Sequence, residues 1–230
     1  LYNKKILVIA AHPDDELLGP GGTIHKCSKK NKCDVHILIM SKGITSRSVL
    51  DLDKEIVSQT KSISEASKIL GASRVDIQNY PDNRFDSCDL LDLIKTIEKK
   101  IKTFIPDVVL THHGSDLNID HRLVFESTLT AIRPLPDSKS ITLMTFETPS
   151  STEWQSSDSN NIFSPNYFNQ IDKEDLKAKQ LAMKKYKSEL RPYPHPRSTK
   201  SLEIISRRWG TVVGVEFAEV FKIIRIINKD

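Results

Sequence analysis

For its first 150 residues the chain alternates short apolar, β-branched runs with amphipathic stretches of helical length. That alternation leaves few folds open: strands joined by helices form a parallel sheet with helices on both faces. Lys5–Ala10 (KILVIA) and Asp34–Ser41 (DVHILIMS) are continuous apolar runs, as a strand buried on both faces requires. Arg74–Gln78, Asp107–His112 and Ile141–Glu147 read as further strands. Thr23–Lys30, Leu52–Leu70, Leu90–Phe104 and Asp120–Ile132 read as the intervening helices. Within Leu90–Phe104, residues Leu90, Leu91, Ile94, Ile97, Ile101 and Phe104 share one face, and Pro106 stops the helix. In sheets of this kind ligands bind beyond the carboxyl ends of the strands.

The remainder reads as an extension of the same unit. Ser150–Asn161 is polar and non-periodic, which predicts a mobile loop, either a lid or a long connection. Lys173–Leu190 is helical in pattern, and Arg191–Lys200 holds three prolines and cannot be regular. Leu202–Val213 reads as a helix, and Val215–Ile227 contains a last apolar strand. With neither a repeat nor a composition break, one domain is expected over residues 1–230: a core of 1–150 and a substrate-shaping extension of 151–230. Hydrophobic residues at 38% and charged residues at 28% exclude a disordered chain. No run of about 18 apolar residues exists, so no membrane span is expected. Three scattered cysteines and a start without a signal-peptide core point to a reducing, cytoplasmic setting.

The chemistry concentrates in two loops. After the first strand, His12-Pro13-Asp14-Asp15-Glu16 sets three acids behind one histidine. Carboxylates so close repel one another unless they share a cation. His12 and Asp15 make half of a divalent metal site, and a catalytic zinc wants three protein ligands with a fourth position open. The third ligand must come from another strand end. The fourth strand runs into Thr111–His121 (THHGSDLNIDH), which offers three His, two Asp and one Asn. His12, Asp15 and His121 are then an available ligand set. Asp14 is left beside it, where a general base for metal-assisted hydrolysis belongs.

Ala11–Glu16 (AHPDDE) resembles the signature of the PIG-L/LmbE-like N-acetyl-sugar deacetylases. Thr111–His121, with its N-x-D-H ending, resembles that family's second signature. Gly19, Gly21 and Gly22 match its glycine-rich helix entry, and weaker likeness extends to Arg47, Pro81-Asp82-Asn83-Arg84 and the Pro194–Ser198 segment. The resemblance implies a Rossmann-like α/β fold and a Zn²⁺-dependent hydrolase of acetamides on sugars, the zinc being exchangeable with another divalent ion. By family pattern His12, Asp15 and His121 bind the metal. Asp14 activates the water that attacks the acetyl carbonyl, and acetate and a free amine result. One position departs from the pattern: many members carry a histidine where this chain has Asn118. Asn donates a hydrogen bond but cannot shuttle a proton. That task falls to His112, His113 or Asp14 itself, and Asp14, His113 and Asn118 are the catalytic candidates.

Arg47 and Arg84 follow strand ends, and His195 and Arg197 sit in a proline-stiffened loop. These four are the substrate-binding candidates. Trp154 could stack on a sugar face or simply secure its loop. The expected partner is a small N-acetylated sugar or nucleotide sugar, with no nucleic acid; a homo-oligomer is compatible. Eleven Lys/Arg against five Asp/Glu in residues 172–208 fit a phosphate-bearing substrate only weakly. Two rival readings exist. A non-haem Fe(II) enzyme also uses two His and a carboxylate, but its usual H-x-D spacing differs from H-P-D-D. A Rossmann-like binding module without catalysis would not need His12, Asp14, Asp15 and His121 together.

Overall fold

The computed structural model describes residues 1–43, 52–136, 138–156 and 162–228. Its centre is one sheet of β1 (Lys5–Ala10), β2 (Asp34–Ser41), β3 (Arg74–Tyr80), β4 (Val108–His112), β5 (Thr142–Phe146), β6 (Tyr167–Ile171) and β7 (Phe217–Arg225). The spatial order is β3-β2-β1-β4-β5-β7-β6. The first five strands pair in parallel, while β7 runs antiparallel to both β5 and β6. From β1 the chain winds one way to β2 and β3; it then returns to the other side of β1 as β4. The topological switch therefore lies between β1 and β4, whose following connections leave the sheet in opposite directions, the place at which sheets of this kind take their ligands.

The helices are α1 (Asp15–Leu18), α2 (Gly21–Lys29), α3 (Leu52–Leu70), α4 (Leu90–Phe104), α5 (Ile119–Ala131), α6 (Lys173–Met183) and α7 (Thr199–Val213). They cover both faces of the sheet, and β1 shows why the strands are apolar throughout. Ile6 and Val8 pack with Ile63 and Leu70 of α3 in one core. Leu7 and Ile9 pack with Leu93, Ile97 and Phe104 of α4 in the other. Alternate residues of a strand point to opposite faces, so a two-sided core needs both sets apolar.

Several segments differ from expectation. The Ala11–Gly22 loop contains the single turn α1, and α2 begins at Gly21 rather than Thr23. Strand β6 (YFNQI) carries Asn169 and Gln170, and its mixed polarity concealed an edge strand. The helix expected to Leu190 ends at Met183; the chain then turns so that Tyr186 is fully buried. In the Ser150–Asn161 segment, residues 157–161 lie outside the described residues, but the part before them is held down. Thr152–Trp154 form a 3-10 turn, and Ser151 and Thr152 both donate hydroxyl hydrogen bonds to buried Asp116. Hydroxyls that read as loop polarity in sequence serve here as internal donors. The basic stretch is likewise paired from within: Lys179 with Glu219, Lys185 with Glu65, Arg197 with Glu189, Arg207 with Glu203. All three cysteines are free thiols. Among the described residues no helix is long and apolar enough to cross a membrane.

Candidate active site

The β1 and β4 ends bring both loops to the switch point. Asp15 Oδ2 lies 3.3 Å from His12 Nδ1 and 3.1 Å from His121 Nε2. One ligating atom from each of His12, Asp15 and His121 lies within 4.8 Å of the others. His121 reaches this point because Asn118 caps α5: its side chain accepts the Asp120 N–H at 2.8 Å, so His121 falls in the first turn facing β1.

Behind each imidazole stands a carboxylate. His12 Nε2 lies 2.9 Å from Asp120 Oδ2, and His121 Nδ1 lies 3.0 Å from Asp116 Oδ1. Such partners fix the ring orientation and the tautomer of a metal-binding histidine. Asp120 is tied in turn to the Phe85 N–H at 3.0 Å, and Asp116 to Ser151 and Thr152. Both aspartates stand in the Thr111–His121 segment, where nothing in the local sequence gives either a role. Their burial, 0% exposed in each case, is the signal that assigns one. A second set, His12, Asp82 and Asp120, meets the same spacing. It approaches His12 from its Nε2 side, with Asp82 Oδ1 at 3.3 Å.

The charge pattern suits a cation. Burial opposes charge on His12, but hydrogen bonds to Asp120 and Asp15 outweigh it and lift the imidazole to about 10. Burial likewise opposes charge on His121, and Asp15 and Asp116 lift it to about 9. Burial works against ionised Asp15 too, yet His121 and His12 hold its carboxyl well below the usual range. A carboxylate field strong enough to hold protons on two buried imidazoles is one that a divalent ion would satisfy in their place. His121 Nε2 and Asp14 Oδ2 are also buried without a hydrogen bond among the described residues. The residues therefore fit a divalent metal. If they hold one, Asp116→Ala leaves His121 unoriented and is expected to weaken metal affinity by about 10- to 100-fold. Competition against a chelating dye checks this, and an unchanged affinity refutes it.

Asp14 sits beside this cluster on a left-handed backbone (φ 88°). For a residue with a Cβ this conformation costs about 1–3 kcal/mol and persists only when its surroundings enforce it. Here Asp14 N donates to Glu16 Oε2 at 2.9 Å, and Tyr186 Oη donates to Glu16 Oε1 at 2.6 Å. Asp14 O accepts from Leu17 N and Leu18 N. Burial pushes the Asp14 carboxyl well above its ordinary value, while Arg197 pulls the other way. Arg197 Nη1 lies 3.5 Å from Asp14 Oδ2 and 3.0 Å from Glu189 Oε2, and its Nε donates to Ser150 Oγ at 2.8 Å. The structure thus brings Arg197, from the proline-stiffened loop, directly to Asp14.

The other candidates fall as follows. His112 is fully buried and stacked on His121 at 3.9 Å. Its Nε2 accepts the Ala11 N–H at 2.9 Å, so Nδ1 carries the proton shared with Thr148 Oγ1 at 3.0 Å. Burial and the neighbouring His121 push it down to about 3; a ring so committed shuttles no proton. His113, one residue past the strand, is nearly buried and lies edge-on to Phe163 at 5.2 Å. Asn118 acts as a helix cap and also donates to Asn83 Oδ1 at 3.0 Å. His195 Nδ1 accepts the Arg197 N–H, and its ring stands edge-on to the exposed Trp154. Arg84 is exposed at the start of the Phe85–Ser87 turn. Arg47 lies outside the described residues.

The glycine-rich entry to α2 is built for close packing. A Cβ on Gly19 would lie 2.6 Å from Glu147 O, and one on Gly22 would lie 2.7 Å from Ile171 Cδ1. The N–H groups at the start of α2, where a nucleotide-binding fold receives phosphate, are taken from within. Gly22 N and Thr23 N donate to the two Glu219 carboxylate oxygens at 2.9 and 2.6 Å.

Comparison with known proteins agrees with this picture. Residues 7–132 match the family profile described as PIG-L, GlcNAc-PI de-N-acetylase. An uncharacterized deacetylase of Escherichia coli, YaiS, is 31% identical over 190 residues, which cover 80% of this chain and 91% of that protein. Among solved structures, an N,N′-diacetylchitobiose deacetylase from Pyrococcus horikoshii superposes with TM-score 0.67 at 24% identity, covering 96% of this chain and 84% of that one. A 4-carboxy-2-hydroxymuconate hydratase from Pseudomonas putida superposes with TM-score 0.76 at 18% identity, covering 98% of each chain. The last two share the fold, and the fold alone carries more than one chemistry.

Proposed function

The chain belongs to the PIG-L (GlcNAc-PI de-N-acetylase) family, and from that premise we propose that it hydrolyses the acetamide of an N-acetylated sugar, releasing acetate and the free amine. The observation that carries this reading is the pairing of a His₂Asp cluster with a second carboxylate, Asp14, whose buried Oδ2 makes no hydrogen bond among the described residues. A structural salt-bridge network has no need to leave a buried carboxylate oxygen without a hydrogen bond, held only by the Arg197 charge at 3.5 Å.

In this reading His12, Asp15 and His121 hold a divalent metal, zinc being the natural choice for two imidazoles and one carboxylate. When bound, the metal supplies a Lewis acid that makes water more acidic and polarises a carbonyl. The chain's own residues do the rest. Asp14 Oδ2 takes the proton of the attacking water as the water oxygen bonds to the acetyl carbon. It then returns that proton to the sugar nitrogen as the C–N bond breaks, so one carboxylate acts first as base and then as acid. Arg197, fixed by Glu189 and Ser150, holds that carboxylate in place. Glu16 and Tyr186 hold its backbone. His113 remains the candidate beyond the cluster for a hydrogen bond to the reacting amide, and Asn118 contributes by seating His121. The free thiols fit the cytoplasmic setting.

The test is acetate release by zinc-loaded protein from a panel of N-acetylated mono- and disaccharides and nucleotide sugars. Release is expected from at least one member, and His121→Ala is expected to lose both the metal and the release. Zinc held at full occupancy without release from any of them would overturn the reading, and full zinc occupancy in His121→Ala would overturn the ligand set.

A further inference from the structure

A cavity of about 450 Å³ lies at the β3 edge of the sheet, between β2, β3 and α4. None of His12, Asp14, Asp15 and His121 lines it. Its strand residues His36, Arg74 and Asp76 stand in the amino-terminal halves of β2 and β3, whereas the His12, Asp15 and His121 cluster lies beyond the carboxyl ends of β1 and β4. Three cations, Arg74, Lys99 and Lys100, meet one carboxylate in the wall. Asp76 Oδ1 accepts from Arg74 Nε at 2.8 Å, and Asp76 Oδ2 accepts from Lys100 Nζ at 2.6 Å. Lys100, whose side chain is 10% exposed, also donates to His36 Nδ1 at 3.0 Å. His36 stacks on Phe104 at 3.7 Å between ring centres. Burial and the Lys100 ammonium push its imidazole below the ordinary value, so it accepts that bond as a neutral ring. Asp34 stands 3.6 Å from His36 Nε2, outside the wall, and accepts from Ser73 Oγ.

One carboxylate answers one of the three cations and leaves two positive charges over. Among the described residues the Lys99 ammonium has no hydrogen bond or ion pair, and neither Nη of Arg74 is hydrogen-bonded. The lysines of the wall are not engaged with the carboxyl end of α4, where Lys5 Nζ donates to Phe104 O and Lys139 Nζ donates to Ile105 O. Like charges gathered in this way repel one another, and an anion between them removes the repulsion. A phosphomonoester carries roughly −1.5 to −2 at pH 7, which matches the excess, and the open fork of a guanidinium fits its oxygens. A bare phosphate would leave most of the cavity to water. The rest of the wall has both surfaces that a sugar ring uses. Gln78 offers a side-chain amide without a hydrogen bond among the described residues, for hydroxyls, and Leu38 and Phe104 offer apolar surface, for C–H groups.

We propose that this cavity binds a sugar phosphate, its phosphoryl group held by Arg74, Lys99 and Lys100 and its hydroxyls by Gln78. The site is separate from the candidate active site and does not depend on the deacetylase reading. Calorimetric titration of the protein with glucose 6-phosphate, inorganic phosphate and glucose tests it. Glucose 6-phosphate is expected to saturate one site about tenfold more tightly than phosphate, and glucose is expected to give no saturable heat. Two variants locate that site, Lys99→Glu and Arg74→Gln. Both side chains are exposed, and among the described residues that of Arg74 hydrogen-bonds Asp76 alone, so circular dichroism should show the parent fold and Tm in each. Each variant should weaken glucose 6-phosphate about tenfold or more, as the loss of a charge-assisted hydrogen bond does. No saturable heat from glucose 6-phosphate would overturn the proposal, as would phosphate or glucose bound as tightly as the sugar phosphate. An unchanged affinity in either variant would place the ligand elsewhere on the protein and overturn it equally.

Discussion

Asp14→Asn is expected to lower kcat by roughly 10²- to 10⁴-fold, the usual contribution of a positioned general base, while bound metal and fold are kept. The substitution is nearly isosteric. The backbone bonds that hold the left-handed turn, from Asp14 N to Glu16 and from Leu17 N and Leu18 N to Asp14 O, do not involve the side chain. What is lost is a carboxylate oxygen able to take a proton; an amide cannot. The loss should fall on kcat more than on KM, because the proton moves only in the transition state. Metal content by mass spectrometry separates this outcome from damage to the ligand set. Turnover within a few-fold of the parent protein, with metal present, would remove Asp14 as the base.

How much of this could be read from the chain alone depends on the range of the interaction. The α4 helix appears with its expected ends because its cause is local: an apolar stripe at helical spacing, an Asp89 cap, and Pro106 beyond. The His12, Asp15 and His121 cluster was legible because parallel strands place their carboxyl ends on one edge, so two loops far apart in sequence had to meet. The supports of the cluster were not legible. Asp116, Asp120, Glu189 and Tyr186 differ in no local pattern from ordinary surface residues, and only the folded chain shows that each is buried against a site residue. The two adjacent histidines show the limit well. Neighbours on a strand point to opposite sides, and only the Ala11 N–H bond to His112 Nε2 shows which ring is locked.

Glu219→Leu is expected to be among the most destabilising single substitutions in the chain, at roughly 3–5 kcal/mol, because removing one member of a buried ion pair strands the other. Glu219 and Lys179 are 4% and 3% exposed, and their charged atoms lie 2.6 Å apart. Glu219 also satisfies the N–H groups of Gly22 and Thr23 at the positive end of α2. The leucine would leave a buried ammonium and two buried amides without their acceptor. Lys179→Met should cost less, since the carboxylate keeps both amide bonds while the ammonium's bond to Gly19 O is lost with it. For a chain of this size the larger loss corresponds to a fall of roughly 6–20 °C in Tm, measured by circular dichroism on both variants. A Tm for Glu219→Leu within about 2 °C of the parent would refute the argument. The same carboxylate bears on the rival reading, a catalytically silent Rossmann-like module that binds a sugar or nucleotide, where the ligand is a nucleotide. Phosphate binding at this helix would require those two amides, and Glu219 already occupies them from strand β7. In this fold the glycine-rich entry serves to pack α2 against β6 and β7, and the proposed chemistry rests on the cluster at the β1 and β4 ends.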